Sequence, residues 1–287
     1  MTGSAHGFRL TLLLAALLGT ASPASADTST FQFENWAGPA IPVRLYLPPD
    51  VDARTPVVIV MHGASRDAPR YFEDWTRAAE ARRFIVAVPE FTEAEFPGAA
   101  AYNLGNVFDA DSGVPLPESQ WSFSVIEPLF DEIAARTGGT SDGYTLYGHS
   151  AGAQFIHRFL YFVRDNRVKR AIVANAGWYT MPDFGVEYPY GLHDSGLLPE
   201  ILGSVLRIDV LVLLGEADND PDGDKLRKTP EAELQGPHRL ARGQTFYRVA
   251  QARARTMNNE FNWQMVFVPG AAHSNAAMTP AAAEFVR

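Results

Sequence analysis

The chain has 287 residues, 24 of them Lys or Arg against 33 Asp or Glu, for a formal net charge of −9 at pH 7. That surplus of acid argues against nucleic acid or anionic lipid as the main partner. Cysteine is absent, which excludes disulfides, Cys-held metal and thiol chemistry.

The first stretch reads as an address and not as fold. Arg9 precedes an apolar run over residues 10–18, interrupted by Thr11, and Ala24-Ser25-Ala26 fits the small-x-small site of a secretory signal peptide. The run is shorter than the ~20 apolar residues that cross a bilayer, so no membrane span is expected. Cleavage after Ala26 would leave residues 27–287, a length that one α/β domain fills around one core.

Residues 31–33 and 43–47 read as opening strands, followed by a turn at Pro48-Pro49-Asp50. Residues 56–61 form a continuous apolar run, as in a strand buried on both faces, and end at His62-Gly63-Ala64-Ser65. A helical pattern over residues 71–82 and a second buried strand over 84–88 come next. Residues 90–120 are irregular and rich in Gly, Pro, Asn and aromatics, which predicts a functional loop or a disordered one. A helix then opens at Ser122 or Ser124 and stops at Gly138-Gly139.

Residues 144–152 read Tyr-Thr-Leu-Tyr-Gly-His-Ser-Ala-Gly, a short buried strand running through Gly-x-Ser-x-Gly into a helical pattern. A serine between strand and helix sits on a sharp turn that exposes its oxygen, and Gly148 and Gly152 remove the side chains that would collide there. Beyond it, Phe155, Ile156, Phe159, Leu160 and Val163 fall on one stripe of the helix. Strands over 168–174 and 208–214 lead into Asn175-Ala176-Gly177-Trp178-Tyr179 and Gly215-Glu216-Ala217-Asp218. An acidic loop, a basic helix over 238–256, a last strand over 263–268 leading to His273, and a helical tail from Thr279 complete the chain.

Strands alternating with helices predict an α/β protein with a mostly parallel, twisted sheet and helices on both faces. In such sheets chemistry gathers at the carboxyl ends of strands, where His62, Ser150, Trp178, Asp218 and His273 all fall. A serine hydroxyl near neutral pH needs a base, and the base an orienting acid. The order Ser150, Asp218, His273 is the one expected of an α/β-hydrolase.

With His62-Gly63, the Gly148–Gly152 elbow, Gly215–Asp218 and His273 assembled, the chain resembles the α/β-hydrolase superfamily. Within it the chain is similar to the exported esterases that include polyhydroxybutyrate-depolymerase-like and feruloyl-esterase-like proteins. The resemblance implies an α/β-hydrolase fold and hydrolysis of a small or polymeric carboxylic ester without metal or organic cofactor. It makes Ser150 the nucleophile, His273 the general base and acid, and Asp218 the residue that orients the imidazole. The oxyanion would be held by the amides of Ala151 and Ala64. The same triad acting on an amide or peptide is the main rival, and a non-catalytic binding protein on this scaffold is another.

Several residues carry two readings. Asp220 is the fallback acid, because strand ends are placed only to within about ±2–4 residues from sequence. The loop from Asp218 to Asp224 has acids in the alternation of a calcium loop, but Thr229 stands where a bidentate glutamate is needed. Residues 178–199 carry Trp178, Tyr179 and further aromatics, and form either a lid and pocket wall for apolar acyl groups or loop packing. Trp178, Tyr179 and His149 are thereby candidates for touching the substrate, although His149, beside the serine, also fits packing. His62 reads as a stabiliser of its turn and His157 as a core or surface residue. The basic residues between Lys225 and Arg242 read as a solvated face, or as a charged mouth that would meet an acidic substrate.

Overall fold

The structure is a computed structural model, and it describes residues 1–3, 25–138 and 141–287. The apolar run at 10–18 and the stop at Gly139 lie outside the described residues.

In chain order the strands are β1 (Asp27–Phe33), β2 (Ile41–Leu47), β3 (Val57–Met61), β4 (Ile85–Pro89), β5 (Tyr144–His149), β6 (Val168–Ala174), β7 (Val210–Gly215) and β8 (Trp263–Val268). The helices are α1 (Ala68–Arg82), α2 (Gly98–Ala101), α3 (Ile126–Thr137), α4 (Ala151–Phe162), α5 (Ile201–Val205), α6 (Pro230–Gln235), α7 (Arg239–Thr256) and α8 (Asn275–Ala283). One sheet runs in the order β1-β2-β4-β3-β5-β6-β7-β8. β2 pairs antiparallel with β1 and β4, and every later pairing is parallel.

The continuous apolar runs become central strands because both of their faces are covered. Along β3, Val57, Ile59 and Met61 join one buried cluster, while Val58 and Val60 join the other. The first cluster includes Phe130 of α3, Phe155 of α4, Val205 of α5 and Phe246 of α7; the second includes Trp75 of α1 and Met278 of α8. The sheet is therefore sandwiched between two helical layers, as the period-two alternation demands.

Helix boundaries follow local capping. α1 starts at Ala68, ahead of the expected Tyr71, because Asp67 accepts from Arg70 N and a proline occupies the first turn. The helix expected from Ser122 begins as a 3₁₀ turn at Ser122–Val125 before α3 takes over. Ser274 caps α8 and starts it ahead of Thr279. α5 and α6, of five and six residues, are too short to show a helical period in sequence.

The single apolar stripe expected on α4 is corrected by its surroundings: every residue of α4 is buried. Phe123 meets Phe155 edge-on at 4.8 Å, and Leu202 belongs to the same cluster, so chain from both the 90–125 and 176–206 regions covers the face that would otherwise be wet. Among the described residues no helix is long and apolar enough to cross a membrane.

Candidate active site

β5 ends at His149, α4 begins at Ala151, and Ser150 between them has φ 59° and ψ −116°. Positive φ in a non-glycine residue is strained, and the packing enforces it. A Cβ at Gly152 would stand 2.0 Å from the carbonyl oxygen of Met61, and one at Gly148 would stand 2.3 Å from the carbonyl carbon of Gly152. Glycine at both positions lets α4 press against β3 and β5, which pushes the serine outward.

Two loops bring partners to Ser150. Asp218 follows β7, and His273 follows β8. His273 Nδ1 lies 2.7 Å from Asp218 Oδ2, and His273 Nε2 lies 3.1 Å from Ser150 Oγ. An ionised carboxylate has no proton to give, so Nδ1 donates and Nε2 is left to accept from the serine hydroxyl. Asp218 is 4% exposed in its side chain, and its Oδ1 faces Arg239 Nη1 at 3.6 Å. Asp220 is exposed and accepts from Asp222 N instead, so it does not take the acid's place.

The turn after β3 is clamped beside the serine. His62 donates through Nδ1 to Gly63 O and accepts from Phe91 N at Nε2; Tyr102 Oη donates to His62 O. Burial holds the His62 pKa down to about 4, so the ring is a neutral strut, in keeping with a turn-stabilising role. Arg66, at φ 59°, donates to the carbonyls of Phe91, Phe96 and Gly98 and ties the turn to the next loop. Ala64 and Ala151 both line the cavity in front of Ser150. As the first residue of α4, Ala151 has no intrahelical acceptor for its amide.

His149 lies under this assembly. Its Nδ1 is 3.0 Å from Tyr71 Oη, and its ring sits 4.6 Å from that of His273. Burial, then the charges of His273, Arg239 and Arg70, hold its pKa well below the ordinary imidazole value. His149 borders the cavity while remaining 3% exposed, so its packing role dominates. Sequence gave no sign of Tyr71, which reaches it from α1.

The cavity has a volume of about 810 Å³ and contains Ser150, His273, Ala64 and Ala151 on its wall. Trp178 is on its wall. Tyr179 is not: its side chain is fully buried and stacks on Phe246 at 4.4 Å, and its backbone is held by Gln235. Met181 and Leu192 are also core residues, so the aromatic segment after β6 is chiefly packing and not an apolar acyl wall. The wall beside Trp178 is polar, with Asn103, Gln154 and Arg227. Arg239 and Arg242 are buried, which corrects the expectation of a solvated basic face there. Among the described residues the group close enough to hold a metal ion is Glu187, His193 and Asp194, all exposed and outside the cavity wall; the acids of the 218–224 loop do not converge. His157 is buried, with Nδ1 on Ala153 O and Nε2 accepting from Thr180 N.

No family model matches the sequence, and no curated protein matches it. Solved structures do. Poly(aspartic acid) hydrolase-1 from Sphingomonas sp. KT-1 is 41% identical, with a TM-score of 0.88 over 93% of this chain and 99% of its own. LpqC, a poly(3-hydroxybutyrate) depolymerase from Bordetella parapertussis, is 30% identical, with a TM-score of 0.84 over 90% of this chain and 89% of its own. An S-formylglutathione hydrolase from Agrobacterium tumefaciens, 14% identical at a TM-score of 0.58, shares the fold. Identity at these levels across nearly whole chains, on a shared sheet, shows that this chain belongs to the α/β-hydrolase superfamily, in the branch of its depolymerase-like esterases, and is a hydrolase.

Proposed function

We propose that the protein is an exported serine hydrolase that cleaves carboxylic esters through an acyl-enzyme. The observation that carries this reading is the unbroken hydrogen-bond chain from Ser150 Oγ through His273 to Asp218, at 3.1 and 2.7 Å, opening on a cavity. Ser150 Oγ attacks the ester carbonyl as its proton passes to His273 Nε2. The oxyanion then faces the amides of Ala151 and Ala64. Collapse expels the alcohol, which takes the proton from His273. Water, deprotonated by the same nitrogen, attacks the acyl-serine and releases the acid. Asp218 keeps Nδ1 protonated throughout and stabilises the imidazolium. These steps use three side chains, two backbone amides and water.

Residues 1–26 are read as a signal peptide and residues 27–287 as one catalytic domain, so the intact mass of the exported protein should begin at Asp27. A second reading, cleavage of an amide by the same residues, is favoured by one observation. The 41% identical protein is a hydrolase of poly(aspartic acid), a polymer joined by amide bonds.

One experiment tests both. The protein and its Ser150→Ala variant are offered p-nitrophenyl esters from acetate to long chain, a peptide anilide and poly(aspartic acid). Ester turnover lost in the variant supports the first reading, and polymer or anilide turnover at higher kcat/KM supports the second. Turnover that survives in the variant removes Ser150 from the mechanism.

A further inference from the structure

Arg158, in the middle of α4, is fully buried. Its Nε donates to Thr180 Oγ1 and its Nη1 to the carbonyls of Asn103 and Gln154, all neutral acceptors, while Nη2 is buried without a partner. A guanidinium out of water with no counter-charge is costly, and proteins usually pair it. Burial is the main reason its pKa falls, to about 10, which still leaves it charged at neutral pH.

A second guanidinium lies close by. Arg158 sits over the Trp178 ring at 4.2 Å from its centroid, and Arg227 over the same ring at 4.7 Å. Arg227 is held in place by that ring and by donation from Nε to Tyr190 Oη, and the residue remains exposed on the cavity wall. No carboxylate pairs with either arginine among the described residues, whose hydrogen-bond partners are neutral oxygens. The neighbouring wall adds a donor. Gln154 Oε1 accepts from Asn103 Nδ2, and its Nε2 turns toward Gly177, where a Cβ would stand 3.3 Å away. Positive charge, an ordered fork of N–H groups and an amide donor thus face one end of the cavity that holds Ser150.

We propose that the Trp178 end of the cavity is a carboxylate subsite, in which Arg227 grips a free carboxylate of the substrate, Gln154 Nε2 donates to it, and buried Arg158 supplies the field behind. This rests on the reading of the cavity as the substrate site of a hydrolase. A guanidinium fork matches a carboxylate in shape as well as charge. An anionic substrate provides the counter-charge that the folded chain itself withholds from Arg158. The subsite selects esters or amides whose acid portion carries a second carboxylate, over uncharged acids of equal length.

The test uses length-matched methyl esters followed by proton release: monomethyl glutarate and monomethyl adipate against methyl pentanoate and methyl hexanoate. The expected preference in kcat/KM for the charged ester is about 10- to 100-fold, the worth of a charge-assisted hydrogen bond. It should collapse in Arg227→Gln and persist in Lys228→Gln, which removes an adjacent charge outside the cavity wall. Equal kcat/KM for the two classes, or a preference untouched by Arg227→Gln, overturns the subsite. A second measurement needs no turnover. Glutarate is titrated calorimetrically into Ser150→Ala and into the Ser150→Ala, Arg227→Gln double variant. Saturable binding lost in the double variant supports the subsite even where no ester is cleaved, which would count only against the ester reading. Absence of glutarate binding to Ser150→Ala overturns the subsite even where uncharged esters are hydrolysed.

Discussion

Arg239 faces the oxygen of Asp218 that His273 leaves free: Oδ2 lies 2.7 Å from the imidazole Nδ1, and Oδ1 lies 3.6 Å from the guanidinium. The carboxylate is thus fixed from two sides in a buried setting. Asp220, two residues on, is exposed on the cavity wall and accepts from Asp222 N.

Asp218→Asn should lower kcat by up to about 10⁴-fold, because an amide cannot both fix the Nδ1–H tautomer and stabilise the imidazolium. Asp220→Asn should cost little. Arg239→Gln should fall between them, at about tenfold, through a less firmly held Asp218. Steady-state kinetics on any hydrolysed ester orders the three, and an Asp220→Asn defect larger than that of Asp218→Asn would move the acid.

Ser150→Ala should lower kcat by something on the order of 10⁶-fold while the fold persists, since only one oxygen is removed. Circular dichroism and single-turnover assays separate loss of chemistry from loss of structure.

Gly152→Ala should cost at least about 3 kcal/mol of stability or prevent folding, because overpacking has no outlet here. The added Cβ would meet the Met61 carbonyl at 2.0 Å and the His62 carbonyl at 2.9 Å, both backbone atoms. Chemical denaturation reads the cost, and a native-like midpoint would show that α4 can back away from β3.

Stability should fall as pH drops from about 6.5 toward about 4. His62, His149 and His157 are all held below the ordinary imidazole value of 6.5 by burial, His62 to about 4. Between those values the unfolded chain binds protons that the folded chain refuses, so the stabilisation is complete above 6.5 and is lost on acidification. Each ring contributes a limiting slope of about 1.4 kcal/mol per pH unit. Urea midpoints at pH 7.5 and 5 measure it, and midpoints that coincide would mean that the rings find other ways to take up protons.

The sheet was legible because its central strands are buried on both faces: Val57 to Met61 and Val210 to Gly215 read as apolar runs whichever layer covers them. The sharp turn at Ser150 was legible because backbone contact dictates the glycines on either side of it. The cavity wall was not. Trp178 and Tyr179 are adjacent, and one faces the cavity while the other faces Phe246, a choice made by which side of the strand end the chain leaves. Arg158 was hidden by a sound rule used outside its range: a helix is two-sided only if one side meets water, and α4 meets chain on both. Arg239 could have been suspected, since it opens α7 directly after the His238 cap, but its contact with Asp218 spans a loop whose path sequence does not give.

His273 follows β8, an edge strand of the sheet, whereas Ser150 follows β5 near its middle. Phe267 on that edge strand is exposed, and among the described residues β7 alone pairs with the strand. The two halves of the Ser150–His273 pair therefore live in regions of unequal local stability. On warming, the rim that carries His273 should loosen while the centre that carries Ser150 stays ordered. Working temperature is then set by the outer strand and not by the core, and the enzyme's useful life can be extended by bracing that rim without raising the melting point of the whole.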